Sequence, residues 1–531
     1  MKKFLVLFLA GITYTAAFAR TVENELYFRA MKDEMNRALK ELRLPGNERP
    51  YYVAYWLSDL YSFSAEAALG EVYARQDNPS PSLRVGSILK IGNDEKNNTG
   101  YYNYDRSWRY VNEGSAPASY EGIRQVLWYN SNQLYLEAIE QYKEKEAYRR
   151  RKNIKELLPD VVPAPQATYL EEIPAWQQPD RAQLNQWVQK VSAWGKEIPF
   201  LEYFNIEAVK TQRNCYYLNS RGGKGQLAYR MYTCWIDAYF RQPDGYPEHL
   251  QTQVFLKDFS APELERAEKE IKKFMEQVKG LYGAPEAEVY VGPVLYKPNA
   301  AVRLLKMLLL SDMKNIVPWW NNEADDDRTA SVLRKKIGMR VMSPGINLYD
   351  RPTLRTYEGI ELRTFNAIDN EGVAAEDLTV VSNGKLQQLP LSQRPLDSAK
   401  EHKSNGHALL DNEGGREDLS TVFLEADAPL TEDQLKEKLL VRCKELELPY
   451  CYIAEGDFFR RVYTQDGHEE WVIGLREQDL SQRSLRDILA VGTDAKLLDR
   501  STVVPSLLVD EIELMPEGRQ PPRQPFIAKP Q

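Results

Sequence analysis

Four histidines, His249, His402, His407 and His468, are the only imidazoles in this chain of 531 residues. A catalytic zinc needs about three protein ligands, an open position for water and a carboxylate base. No two of these histidines have ligand spacing on a segment with helical periodicity. His402 and His407 share a long polar loop and could converge with Glu401, which makes this loop the best candidate metal site. The plainer reading is a solvated loop in which one histidine contacts a partner. His468-Glu469-Glu470 follows Asp466-Gly467, a hairpin turn, and the turn reading is favoured there. Asp325, Asp326 and Asp327 offer oxygens to calcium or magnesium, but the run lacks the alternating spacing of an EF-hand loop, so a solvated acidic loop is favoured. No G-x-S-x-G elbow, phosphate-binding loop or dinucleotide fingerprint occurs, so nucleophilic-elbow and nucleotide chemistry have no motif support.

Neither pair of cysteines has the C-x-x-C spacing of a zinc or redox site. Cys215 and Cys234 flank Arg221-Gly-Gly-Lys-Gly225, a turn-rich stretch between two strand-like runs. They could face each other across a hairpin, and a disulfide and two buried thiols are both open there. Cys443 falls on an expected helix with no histidine nearby, and Cys451 at the start of the next strand.

The elements that would position these groups follow from periodicity. The spacing predicts an amphipathic helix over 22–43 with Leu26, Met31, Met35, Leu39 and Leu42 on its core face. Strands are expected at 51–56 and 82–91. A long helix is expected over 119–155, with an apolar stripe of Ile123, Val126, Leu127, Leu134, Leu136 and Ile139. Its charged C-terminal half should project into solvent, ending in Arg149-Arg150-Arg151-Lys152, where cations suit the helix dipole. The proline-rich stretch 159–179 reads as a semi-extended connector. A helix at 181–194, strands at 201–219, 225–240 and 252–257, and a helix at 261–280 with Ser260 as its cap complete the first region.

A second region starts near Val289, with a strand, a helix over 298–312 and then many short strands. Leu304, Leu305, Leu308 and Leu309, with Val302 and Met307, make that helix apolar nearly all round, so it should be buried. Leu430-Thr431 with Gln434 is a hydrophobic staple joined to a capping box, opening a helix at 431–446. The polar loops 319–329 and 391–419 are long enough to be functional or disordered.

Length implies two or more domains. The 43% apolar content can bury a large core, and the 32 tyrosines and 10 tryptophans suit broad packed sheets or a peptide-binding surface. A net charge of -8 argues against non-specific nucleic-acid binding, which needs a basic face. Lys2-Lys3, the apolar Phe4 to Ile12 and Ala17-Phe18-Ala19 have the pattern of a secretory signal peptide over residues 1–19, with the mature chain beginning at Arg20. The apolar stretch is short for a spanning helix, and no later segment looks transmembrane. The protein is therefore expected to be exported, periplasmic or extracellular.

Several short motifs occur in a fixed order in the second region. They are Gly292-Pro-Val294, Lys336–Met342, Leu348-Tyr-Asp350 with Pro352-Thr-Leu354, Asp369-Asn-Glu-Gly-Val373, Leu378–Leu386 with Asn383-Gly384, Ser404-Asn-Gly-His407, and Val504–Leu508 with Glu511–Leu514. In this order they resemble the TldD/PmbA family of zinc metallopeptidases and their partners. Arg84-Val-Gly86 and Tyr217–Gly222 are weaker anchors in the first region.

The resemblance implies a two-domain α+β protein whose C-terminal domain has a curved, largely antiparallel sheet. It places the N-terminal domain at 20–285, with a helical and Pro-rich insertion near 119–180, and the C-terminal domain at 286–516, followed by a disordered tail, 517–531. It implies dimers or heterodimers that enclose a cavity and take peptides as extended strands. Active members carry His-Glu-x-x-x-His on the helix that follows Gly292-Pro-Val294; an ungapped alignment puts Leu305, Lys306 and Leu310 at its motif positions. The resemblance is thus to the subunit type that lacks zinc.

It implies no cofactor, a cleft lined by Ser404, Asn405, Gly406 and His407, and a partner that is a TldD-like paralogue or a second copy. Two other readings stay open. One is a working metallopeptidase with ligands from His402, His407 and a remote carboxylate, and the other is an envelope protein that keeps only the fold.

Overall fold

A computed structural model describes residues 24–73, 78–102, 111–154, 158–314, 320–321, 332–396, 400–409 and 416–518. The expected leader, the Asp325–Asp327 run, parts of the 391–419 loop and nearly all of the expected tail lie outside these residues.

The first region is built on β1 (Pro50–Ala68), β2 (Asn78–Ile91), β3 (Val111–Ser115), β4 (Leu201–Asn219) and β5 (Lys224–Arg241). They pair antiparallel in the order β3-β2-β1-β4-β5, and β6 (Pro247–Leu256) pairs with β5. β1, β4 and β5 run 19, 19 and 18 residues. At ~3.3 Å per residue each is about 60 Å long.

Alternation gives this sheet two faces. Val53, Tyr55, Leu57, Val85 and Tyr216 pack under α1 (Glu25–Glu41) and α2 (Tyr120–Arg151). Farther along the same face, Phe63, Ala65, Phe204 and Ile236 pack under α3 (Arg181–Ser192) and α4 (Ala261–Leu281). The proline-rich connector crosses between these helix pairs, and Trp176 stacks on Tyr61 with ring centroids 5.6 Å apart.

Three expectations about these helices need correction. Leu26 is exposed, and the core face of α1 is set by Tyr27, Phe28, Met31, Met35 and Ala38. The C-terminal half of α2 does not project into solvent, because Gln141, Lys145 and Tyr148 are buried. Lys145 Nζ donates to Asn97 O (3.0 Å) and to Asp160 Oδ2 (2.7 Å), so a buried ammonium is held by local acceptors. Ser260 occupies the N-cap position of α4, but its side chain makes no capping bond.

In the second region β7 (Tyr290–Tyr296) leads into α5 (Pro298–Leu308). The later strands used below are β8 (Ile346–Asp350), β9 (Leu378–Ser382), β10 (Val422–Ala426), β11 (Tyr450–Glu455), β12 (Phe458–Tyr463), β13 (Glu469–Val472), β14 (Leu475–Gln478), β15 (Thr502–Val504) and β16 (Leu507–Pro516). One sheet has the order β13-β12-β11-β7-β16-β14, and a second contains β9-β8-β10-β15. Pairing in them is antiparallel except at β7–β11 and β10–β15. The sheet curls into a half-barrel, so the α+β class with a curved, largely antiparallel second sheet holds. α6 (Glu432–Glu445) packs on β7. It opens with the expected capping box, in which Thr431 N donates to Gln434 Oε1 (2.9 Å).

The two regions are joined by hydrogen bonds from the first sheet to the segment between β8 and β9. Tyr217 Oη donates to Asn370 O (2.9 Å), and Tyr229 Oη to Phe365 O (2.7 Å). Gly372, at φ +82°, meets the backbone of Gly223; a Cβ there would lie 3.1 Å from the Gly223 Cα and 2.5 Å from Asn219 Nδ2. Only glycine fits both that conformation and that approach.

Candidate functional site

The helix that would carry a metal motif is α5. Pro298 lies in its first turn, where a missing N–H costs no helix bond. Leu304, Leu305 and Leu308 point into the core of the second region. Lys306 points outward and pairs with Asp499. The helix ends at Leu308, so Leu310 belongs to a following 3-10 turn, Leu310–Met313. The three motif positions therefore face the core, face solvent and lie past the helix end.

Contrary to expectation, α5 is not apolar all round: Lys306 and Met307 are exposed, and Arg303 beside them pairs with Glu477 (2.6 Å). The residues present do not fit zinc. Leucine has no lone pair to donate, and an ammonium paired with a carboxylate has none free.

His407 is fully buried, and both of its ring nitrogens are engaged. Nε2 lies 2.9 Å from Asp350 Oδ2, and Nδ1 lies 2.9 Å from Asn405 O. Both ring nitrogens are thus taken up by groups of the fold itself. Asp350 also accepts from the backbone N–H groups of Ser420 (2.9 Å) and Thr421 (2.6 Å). Asp369 accepts from the N–H groups of Glu371, Val373 and Ala408. Burial, then the charge of Glu371, pushes the Asp369 carboxyl upward.

These contacts form a clasp tying three motif-bearing loops together. Ser404 and Gly406 are buried in it, and Asn405 bonds Leu391 N (2.8 Å) and Leu389 O (2.9 Å). Ser404, Gly406 and His407 are thus tied into the core, while Asn405 borders a separate pocket with Glu401 and His402. His402 bonds Ser392 O (2.8 Å) separately, so His402 and His407 do not converge. Among the described residues no group of three His, Cys, Asp or Glu side chains could hold a metal ion.

The expected Cys215–Cys234 bridge is corrected by the register. Cys215 pairs with Leu227 and Cys234 with Ala208, which sets the thiols seven residues apart along the hairpin. That separation is ~23 Å, far beyond disulfide reach. The hairpin turns near Arg221, not midway between the cysteines. All four cysteines are free thiols. Burial pushes Cys215 up to about 12, so it stays protonated and is a poor nucleophile.

The remaining site is a cleft of about 450 Å³ between the regions. Its floor is the helix-free face of the long sheet. One row across the strands is Glu113, Gly86, Trp56, Tyr217 and Gly225, and the next contains Arg84, Ser58, Cys215 and Leu227. Its roof is Asn366, Ile368, Asp369 and Asn370. Gly86 leaves room for the Trp56 indole, since a Cβ there would fall 2.1 Å from the ring. Motif reading did not mark this site. The signal lay in the alternation along the strands, which places Trp56, Ser58, Arg213, Cys215 and Tyr217 on one face.

The fold and the clasp define a two-region α+β protein whose helix α5 carries no His, Cys, Asp or Glu. Residues 290–515 match the family model described as the PmbA/TldA metallopeptidase C-terminal domain. Three solved structures share the fold at 14% identity while covering 92% of this chain. A Thermotoga maritima protein described as a candidate modulator of a DNA gyrase has a TM-score of 0.61 with 100% of its chain covered. TldE from Thermococcus kodakarensis has 0.57 with 100% covered. A Bacteroides thetaiotaomicron protein described as a candidate modulator of DNA gyrase has 0.59 with 98% covered. A search of curated protein sequences gives no match. Residues 290–515 are thus similar to the C-terminal domain of the TldD/PmbA family, and the chain as a whole shares the fold of these three structures. Among the described residues no helix is long and apolar enough to cross a membrane.

Proposed function

We propose that this protein is an exported, non-catalytic TldD/PmbA-family subunit that pairs with an active zinc-bearing paralogue and contacts extended peptide. The observation that carries this reading is α5: Leu305 is buried in the core and Lys306 is tied to Asp499, where a metallopeptidase needs imidazole and carboxylate. The engagement of both His407 nitrogens supports it, because neither nitrogen is left free to turn to a metal. Peptide contact fits the long sheet, where β6, paired only with β5 among the described strands, stands at an edge that suits an added strand.

The test is metal analysis by mass spectrometry on tag-free mature protein, joined to co-purification with a paralogue bearing His-Glu-x-x-x-His. A metal-free, folded chain recovered with that paralogue is expected. Near-stoichiometric zinc lost on changing His402 or His407 would overturn the reading.

A further inference from the structure

The interregion cleft holds two arginines, Arg84 and Arg213, that form no ion pair among the described residues. Arg84 on β2 and Arg213 on β4 are exposed on its floor. Their places in the ladder are fixed: Arg84 pairs with Ser58, and Arg213 with Leu60. They are thus two strands and one row apart, ~12 Å between Cα atoms, with Ser58 between them. Two guanidinium groups reaching inward over a serine suit one carboxylate, which accepts charge-assisted bonds from both sides.

The rest of the lining narrows the ligand. Trp56, Tyr217 and Tyr229 supply aromatic faces, and Leu60, Leu227 and Ile368 supply apolar ones. Glu113 stands one strand beyond Arg84, in the next row, without pairing with it. The lining also holds Glu113 and Asp369, the latter taken up by three backbone N–H groups, so it lacks the excess positive charge that a doubly charged phosphate calls for. The volume is that of a small-ligand pocket, not of a protein interface.

The geometry points to a recognition site for the C-terminal carboxylate of a peptide, with its last side chain against the aromatic wall. This rests on the peptide-contact part of the proposed function and adds which end of the peptide is held.

Two hexapeptides of one sequence ending in phenylalanine, one with a free C-terminal carboxylate and one with an amide, are titrated into the full mature protein by calorimetry. The free acid is expected to bind at least about tenfold more tightly than the amide. That difference should collapse in an Arg84→Met/Arg213→Met variant whose thermal unfolding matches the parent, as expected for two exposed side chains. Equal affinity for acid and amide would overturn the carboxylate assignment and leave peptide contact standing. Binding of neither would overturn both. Displacement of the free acid by millimolar inorganic phosphate would also overturn it, making the site a general oxyanion site.

Discussion

At the scale of single residues, charge in the wrong place for solvent turns out to organise this molecule. The His407–Asp350 pair is fully buried, and removing one partner strands the other. His407→Ala should cost about 3–5 kcal/mol in denaturant unfolding, as for other broken buried pairs; a loss no larger than that of a surface substitution would contradict the clasp.

Asp59 carries a different burden. Burial lifts its carboxyl to about 6, and the Asn214 side chain only partly offsets this. The unfolded chain releases that proton near pH 4 and the folded one near 6, so this group's contribution to stability falls across pH 4 to 6 and stays low above it. Asp59→Asn should therefore stabilise the protein by about 1–2 kcal/mol at pH 7 and leave it unchanged at pH 4. Paired urea titrations would show this, and an equal effect at both pH values would refute it. Lys145 marks where reading residues from sequence failed. A lysine within a charged helical run reads as solvent-facing, and only the distant acceptors Asn97 O and Asp160 show otherwise.

At the scale of elements, local signals were reliable wherever a local cause acts. The strands expected at 201–219 and 225–240 are observed at Leu201–Asn219 and Lys224–Arg241, since alternation and the turn between them are both local. The staple and capping box of α6 were legible for the same reason. Thr431→Ala should lower stability by about 1 kcal/mol, measurable by thermal unfolding with loss of helical signal. Register was not legible. The cysteines straddle a turn in the sequence, but the register sets them seven residues apart along the hairpin. Restoring His-Glu-x-x-x-His on α5 should not restore zinc, because Leu305 faces the core and Leu310 lies beyond the helix. A Leu305→His/Lys306→Glu/Leu310→His protein should bind no zinc by metal analysis and unfold at lower temperature; stoichiometric zinc in a folded protein would contradict this placement.

At the scale of the whole molecule, the second region was legible because its motifs keep their order, and three of them, at Asp350, Asp369–Val373 and Ser404–His407, build the clasp. The cleft was not legible, because its floor and roof lie more than a hundred residues apart in sequence. What joins them is the contact of Gly223 with Gly372. Gly372→Ala adds a methyl group against backbone at a positive φ, and should destabilise the protein by about 1–3 kcal/mol. It should also speed proteolytic cleavage between the regions; an unchanged digestion rate would weigh against the contact.

The separation of floor and roof also has a consequence in time. A ribosome completes β5 at Arg241 and reaches Asn370 about 130 residues later, which at ~5–20 residues per second takes roughly ten seconds. During that interval the aromatic face of a sheet about 60 Å long has no roof. Completion of the nascent chain must therefore outrun the sticking of one such face to another.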